Sequence, residues 1–166
     1  KQIKIPFKKY PYLKNNYYDL VLLIDTQYKT GNNPLDFIPK KLIAFDHHPL
    51  REEKCYSFFD INPSAPATAI ILYSYLDHFN ILIDQNFASG FVYAIKTETN
   101  NLERGWKKEY DELYLGLFKK ANKKILSKIE NAKLPSIYFK TMVFALNHTF
   151  FCGSIGLSNC AQVPNP

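Results

Sequence analysis

The stretch IAFDHHPL, Ile43 to Leu50, closes an apolar run with Asp46, His47 and His48 and no spacer before Pro49. A carboxylate or an imidazole at the end of a buried strand loses hydration unless something compensates, and a divalent metal is one such compensation. Carboxylates mixed with imidazole suit manganese, cobalt, zinc or magnesium-like sites, and a pair of such ions can clamp a phosphoryl group during displacement. Side chains alternate along a strand, so Asp46 and His48 share a side that His47 does not, unless the strand ends between them. One histidine can then ligate while its neighbours orient ligands or meet substrate. The same residues also make sense as a plain turn, in which the aspartate accepts backbone hydrogen bonds and both histidines are partly exposed. Spacing alone leaves both readings open.

The elements around this cluster follow from apolar periodicity. DLVLLID, Asp19 to Asp25, and KLIAFD, Lys41 to Asp46, are too short for helices and each ends on an aspartate, which predicts two buried parallel strands. Between them, TQYKTGNNPLDFIPK has loop chemistry and little room for a long helix. Ile70, Ile71, Tyr73, Leu76 and Phe79 form a helical stripe after a proline-marked start. Phe87, Ala88, Phe91, Val92 and Ile95 form a second, with Asp84 as its cap. Further helices are predicted at about 107–119 and 122–131 and from Pro135 to His148, then a strand or connection in TFFCGSIGLSN. Strands alternating with helices make an α/β class, an open, mostly parallel sheet flanked by helices. Ligands of such sheets sit beyond the carboxyl ends of the strands, where Asp25 would join Asp46, His47 and His48.

The 166 residues suit one domain, and 46% hydrophobic with 16% aromatic content excludes a disordered chain. No apolar run is long enough to span a bilayer, and the basic start lacks the apolar segment of a signal peptide. Cys55, Cys152 and Cys160 form no CxxC pair, which fits a reducing, cytoplasmic setting better than a disulfide framework or a zinc knuckle. The net charge of +6 suits a polyanionic ligand such as a nucleotide, and equally suits a chain rich in lysine throughout. Arg104 can fork onto a phosphate or lie on the surface. Asn32 and Asn33 shape a loop more readily than they touch substrate, Thr68 can cap a helix or meet an anion, and the lysines of FKKANKKILSK form a solvated face. His78, His148 and Trp106 read as structural. A chain that opens on Lys1 and closes on VPNP is expected to continue on both sides in the natural protein.

AFDHHP preceded by DLVLLIDTQ resembles the DHH phosphoesterase family. IDTQYKTGNNPL is similar to the second motif of the branch related to oligoribonucleases, FFDINPSAPATAIILYSYL to the segment after the DHH strand, FVYAIKTETNNLER to the fourth motif, and SKIENAKLPSIYF to the stretch leading to a connector. The resemblance implies a manganese-dependent phosphoesterase, with magnesium or cobalt as substitutes. A metal-bound hydroxide would attack short oligonucleotides, nucleotide phosphates or cyclic dinucleotides. Asp25 would bridge two metals, His47 and Glu98 would ligate, His48 would approach the scissile phosphate and Asp46 would hold the first histidine, His47, in place. Arg104, Asn33 and Thr68 would be substrate-side groups. The expected organisation is a DHH-type α/β catalytic domain at 1–146, the N-terminal domain of a two-domain protein, with 147–166 as connector or start of a C-terminal domain. A homodimer is compatible with the sequence, which does not determine oligomeric state. The chain departs from the family in three ways. KQIKIPFKKYPYLKNNYY contains no counterpart of the first motif, Glu98 stands where an aspartate is usual, and no C-terminal substrate domain follows. These departures motivate a second reading, a catalytically inactive relative that binds nucleotide or regulates a partner.

Overall fold

The computed structural model describes residues 18–35, 37–51 and 54–160. The stretch expected to lack the first motif falls, but for its last residue, outside these, as do the last six residues of the expected connector. Two compact units meet within one helix, the first ending at Leu126 and the second beginning at Ser127.

The first unit starts with three parallel strands, β1 (Val21–Ile24), β2 (Leu42–Asp46) and β3 (Phe58–Ile61), in the order β1-β2-β3. This is the expected α/β class with a parallel sheet. Ile24 pairs with Phe45, so Asp25 and Asp46 end neighbouring strands side by side, and the Asp25 amide still donates to the Phe45 carbonyl at 2.9 Å. The central strand buries Leu42, Ala44 and Asp46 on one face, packed with Leu23, Tyr28, Tyr56 and Phe59. Its other face meets α1 (Thr68–His78), where Phe45 and Tyr75 stand edge to face at 5.2 Å.

Two expectations about the sheet need correction. β1 was expected to be buried, yet Leu22 and Ile24 are 47% and 48% exposed, because β1 is the edge of the described sheet and only its Leu23 face is covered. β3 has no counterpart in the sequence reading. Four residues with an aspartate inside carry no clear period, and their strand identity comes from pairing with β2.

The helices form a second cluster. In α2 (Gln85–Glu98) the Asp84 side chain accepts from the Phe87 amide, the predicted cap, and Ala88, Val92 and Ile95 are fully buried against Ile70 of α1 and Leu117 of α3 (Asp111–Lys120). Phe79 and Phe87, assigned to the stripes by spacing, are 64% and 51% exposed: Phe79 is the C-cap of α1, and in the first turn of α2 it is Ala88, not Phe87, that enters the core. A short 3₁₀ turn at Lys108–Tyr110 precedes α3, and Asn122 caps α4 (Lys123–Glu130) by accepting from the Lys124 and Ile125 amides. In the second unit α5 (Ser136–Asn147) is preceded by Pro135, and β4 (Phe150–Cys152) pairs antiparallel with β5 (Ile155–Leu157). Gly153 takes φ +63° in the two-residue turn between them, a conformation that suits glycine in tight hairpins. Among the described residues no helix is long and apolar enough to cross a membrane.

Two tests follow from this packing. Ile95→Ala should lower the unfolding free energy by about 2–5 kcal/mol in a denaturant melt, since Ile95 is 0% exposed in the helical cluster. A loss under 1 kcal/mol, roughly the scale of a surface change, would contradict the placement. The second concerns Tyr75, whose hydroxyl donates to Asp60 Oδ2 at 2.8 Å. Burial, that hydrogen bond and the Asp60 charge push its hydroxyl up from 10.0 to about 12. The folded chain thus keeps a proton that the unfolded chain releases. The stabilisation is complete below about pH 10 and disappears as pH rises towards 12. The wild-type denaturation midpoint should therefore fall more steeply than that of Tyr75→Phe over this window, and parallel curves would refute the linkage.

Candidate metal centre

The centre grows from the ends of β1 and β2. Asp25 has φ 60°, in the left-handed region that aspartate tolerates better than most residues, so its side chain leaves the pleat that Leu23 follows. Thr68, the first residue of α1 and only 4% exposed, donates its hydroxyl to Asp25 Oδ1 at 2.6 Å. Thr68 was expected on the substrate side, and the structure has its hydroxyl fixing this carboxylate instead.

Asp46 is the last residue of β2, and the chain turns immediately beyond it. Its carboxylate is 2% exposed and its Oδ1 accepts from the His47 amide at 2.8 Å, the His48 amide at 3.3 Å and His48 Nδ1 at 2.8 Å. Gln27 Nε2 donates to Oδ2 at 2.8 Å. Burial alone would push the Asp46 carboxyl up, but the hydrogen bonds from Gln27 and His48 and the nearby His48 charge together hold it below the usual carboxylate range. The Asp46 hydrogen bond, reinforced by the charges of Asp46, Asp25 and Glu98, raises His48 above the ordinary histidine range against the effect of burial. Asp46 was expected to hold the first histidine, but its carboxylate takes only the backbone amide of His47 and bonds the ring of the second, His48, because the strand ends at Asp46 and the turn brings that ring back to Oδ1.

His47 points at Asp25 and Glu98. Its Nε2 lies 3.6 Å from Asp25 Oδ1 and 3.4 Å from Glu98 Oε1, and this buried nitrogen has no hydrogen-bond partner among the described residues. An imidazole nitrogen between two carboxylates at distances too long for good hydrogen bonds is the donor arrangement that a divalent ion would draw together. One ligand atom each from Asp25, Asp46, His47 and His48 also lies within 4.8 Å of the others, so the group could hold a metal ion. The donor set fits: carboxylates and imidazole suit manganese, zinc or cobalt.

Glu98 reaches the centre from the last turn of α2, and the extra methylene relative to aspartate spans the gap to His47. The loop beyond it is tightly wound. Asn100, Asn101 and Leu102 all have positive φ, and the buried Thr99 hydroxyl donates to the Ile95 carbonyl at 2.6 Å while accepting from the Leu102 amide at 3.0 Å. This winding returns Arg104 to Glu98, where Nη2 donates to the Glu98 carbonyl and lies 3.8 Å from Oε1. His47, His48, Glu98, Arg104 and Lys107 line one cleft of about 660 Å³. A more apolar cleft of about 500 Å³ reaches Asp25, Thr68 and Glu98 from the α1–α2 side.

Asn33 lies away from this cleft. Its Nδ2 donates to Thr26 Oγ1 at 2.8 Å and to the Gln27 carbonyl at 2.7 Å, and its Oδ1 accepts from the Leu35 amide at 3.2 Å. It is the loop-shaping residue that its turn chemistry allowed. Sequence reasoning placed Gln27 within the IDTQYKTGNNPL motif but gave it no role, and gave Lys107 none, because a glutamine in a loop and a lysine among many lysines carry no period.

No protein-family model matches the chain. An uncharacterized protein of Methanocaldococcus jannaschii, MJ1633, is 27% identical over 149 residues, which are 89% of this chain and 30% of that protein. The crystal structure of an exopolyphosphatase-related protein from Bacteroides fragilis superposes with a TM-score of 0.65 at 16% identity, over 81% of this chain and 42% of that one. The chain therefore shares the α/β fold of an exopolyphosphatase-related protein and spans less than half the length of either relative.

The geometry makes a direct prediction about metal. Titrating the chain with a divalent transition-metal ion by calorimetry should give saturable binding that disappears in His47→Ala and weakens at least tenfold in Glu98→Gln, as loss of a ligand does. Equal heats for wild type and both variants would remove His47 and Glu98 from the centre.

Proposed function

We propose that the chain carries the catalytic centre of a manganese-dependent phosphoesterase acting on phosphodiesters of short oligonucleotides or on related nucleotide phosphates and cyclic dinucleotides. The observation that carries this reading is the partnerless His47 Nε2 between Asp25 and Glu98, in a cleft whose other wall bears Arg104 and Lys107. The DHH-like motifs and the fold shared with an exopolyphosphatase-related protein support it. A bound divalent ion supplies Lewis-acid polarisation of the phosphoryl oxygens and activation of water.

Each residue has a definite share. Asp25, His47 and Glu98 hold the ion, and Thr68 fixes the Asp25 carboxylate by its hydroxyl. Asp46 Oδ1 accepts a hydrogen bond from His48 Nδ1–H, which fixes the ring and leaves Nε2 to meet a phosphoryl oxygen. Arg104 and Lys107 draw the anion into the cleft, the guanidinium anchored by its contact with Glu98. A lining that includes Arg104 and Lys107 favours a negatively charged ester over a neutral one as the substrate class.

The test is hydrolysis of a 5′-phosphorylated RNA dinucleotide with manganese, resolved by anion-exchange chromatography. Asp25→Asn and His47→Ala should each abolish turnover, whereas the double variant Arg104→Ala, Lys107→Ala should raise KM by about tenfold with a smaller change in kcat. Turnover retained in both Asp25→Asn and His47→Ala would sink the site assignment. Metal and nucleotide binding without turnover in the wild type would instead favour the inactive, nucleotide-binding relative.

A further inference from the structure

Gln27 is 1% exposed, polar, and outside any role assigned above to the reaction. All of its hydrogen-bonding capacity is directed at the segment after β2. Its Nε2 lies 2.8 Å from Asp46 Oδ2, 3.1 Å from the Pro49 carbonyl and 3.4 Å from the His48 carbonyl, and its Oε1 accepts from the Arg51 amide at 3.0 Å. One primary amide thus grips both ends of the turn that carries the two histidines, and also the far oxygen of the carboxylate that holds His48.

The amide is itself anchored. The Gln27 carbonyl accepts from the Thr30 hydroxyl at 2.7 Å and from Asn33 Nδ2 at 2.7 Å, and the next amide, that of Tyr28, donates to the Tyr56 hydroxyl at 2.9 Å. Other side chains fit the position poorly. A glutamate would set a second negative charge against Asp46, a lysine has donors and no acceptor for the Arg51 amide, and an apolar residue would leave buried carbonyls and a carboxylate oxygen unpaired.

We propose that Gln27 is a positioning residue for the phosphoester reaction: by fixing Asp46 Oδ2 and the His48–Pro49 backbone, it sets the direction in which the His48 imidazole faces the cleft. The inference rests on the reading of His48 as the group that meets substrate. It separates two parts of the centre, since the Asp25, His47 and Glu98 side chains make no hydrogen bond with the Gln27 amide among the described contacts. Metal binding and His48 orientation should therefore respond differently to its loss.

The experiment compares wild type with Gln27→Leu, using manganese calorimetry, kinetics on the RNA dinucleotide and nitrogen-15 NMR of the imidazoles in metal-free protein. The wild type should show a protected His48 Nδ1–H signal, the mark of its bond to Asp46, which Gln27→Leu loses or broadens. Manganese affinity and KM should stay within about threefold while kcat falls about 100-fold, the scale of a misplacement of roughly 1 Å. An unchanged His48 signal overturns the proposal, and so does an unchanged kcat alongside a lost signal. A wild type that does not hydrolyse the dinucleotide refutes the phosphoesterase reading, while the His48 signal still decides whether Gln27 orients the ring. Should Gln27→Leu fail to fold, Gln27→Asn and the wild-type Gln27 side-chain amide take over. Slow hydrogen exchange at that amide supports the grip, and exchange as fast as at an exposed amide overturns it.

Discussion

Everything at this centre depends on keeping the Asp46 carboxylate charged while 1% exposed at the end of the central strand. Taking a carboxylate out of water costs several kcal/mol, roughly, unless hydrogen bonds replace its hydration. Here four donors do so: two backbone amides, the His48 ring and the Gln27 amide. Three of those donors come from the turn that follows the strand, so the turn folds around the charge and cannot relax without stranding it. With its amide held on Asp46, His47 brings its ring nitrogen to Asp25 and Glu98.

The two packed clusters of the first unit contribute different halves of the site. The sheet cluster of Leu23, Tyr28, Leu42 and Ala44 supports Gln27, Asp46 and the histidines. The helical cluster around Ile95 and Leu117 supports Glu98 and, through the wound loop at Thr99, Arg104. The side chains proposed to hold a metal thus come from both, with Asp25 and His47 at strand ends and Glu98 at a helix end. Helix and strand ends suit this task because their side chains inherit the rigidity of packed elements yet open onto a cleft.

Much of this was legible in the sequence where burial imposes a period. Asp19 to Asp25 and Lys41 to Asp46 gave parallel strands, and Ala88, Val92 and Ile95 gave a helical stripe, because one face of each must avoid water. The pairing of Asp25 with the Asp46–His48 turn followed from strand ends sharing an edge. What stayed hidden depends on contacts far apart in the chain. β3 is a strand through its pairing with β2, and Thr68 serves Asp25 across 43 residues. Gln27 reaches Asp46 across 19 residues from a loop without periodicity, so only the folded chain exposes its role. The exposed Leu22 and Ile24 break the burial rule for a related reason, since an edge strand's burial is decided by what lies beside it.

A left-handed backbone, one of several among the described residues, and a buried nitrogen without a partner stand side by side at Asp25 and His47. Asp25 holds a left-handed backbone, which for a non-glycine residue costs of the order of 1 kcal/mol, and His47 Nε2 is buried without a partner, which costs about 1–3 kcal/mol. Elsewhere in the same neighbourhood the polar groups are well matched: Asp46, Gln27, Thr99 and Asn33 each have their hydrogen bonds. A loosely folded site would leave mismatches scattered. Here the buried side-chain nitrogen left without a partner among the described residues faces the space between Asp25, His47 and Glu98, while the supporting residues have their hydrogen bonds. That contrast argues for preorganisation, in which the folding of well-satisfied neighbours holds an unsatisfied ligand set ready, and a cation arriving there recovers what the fold alone leaves unmet.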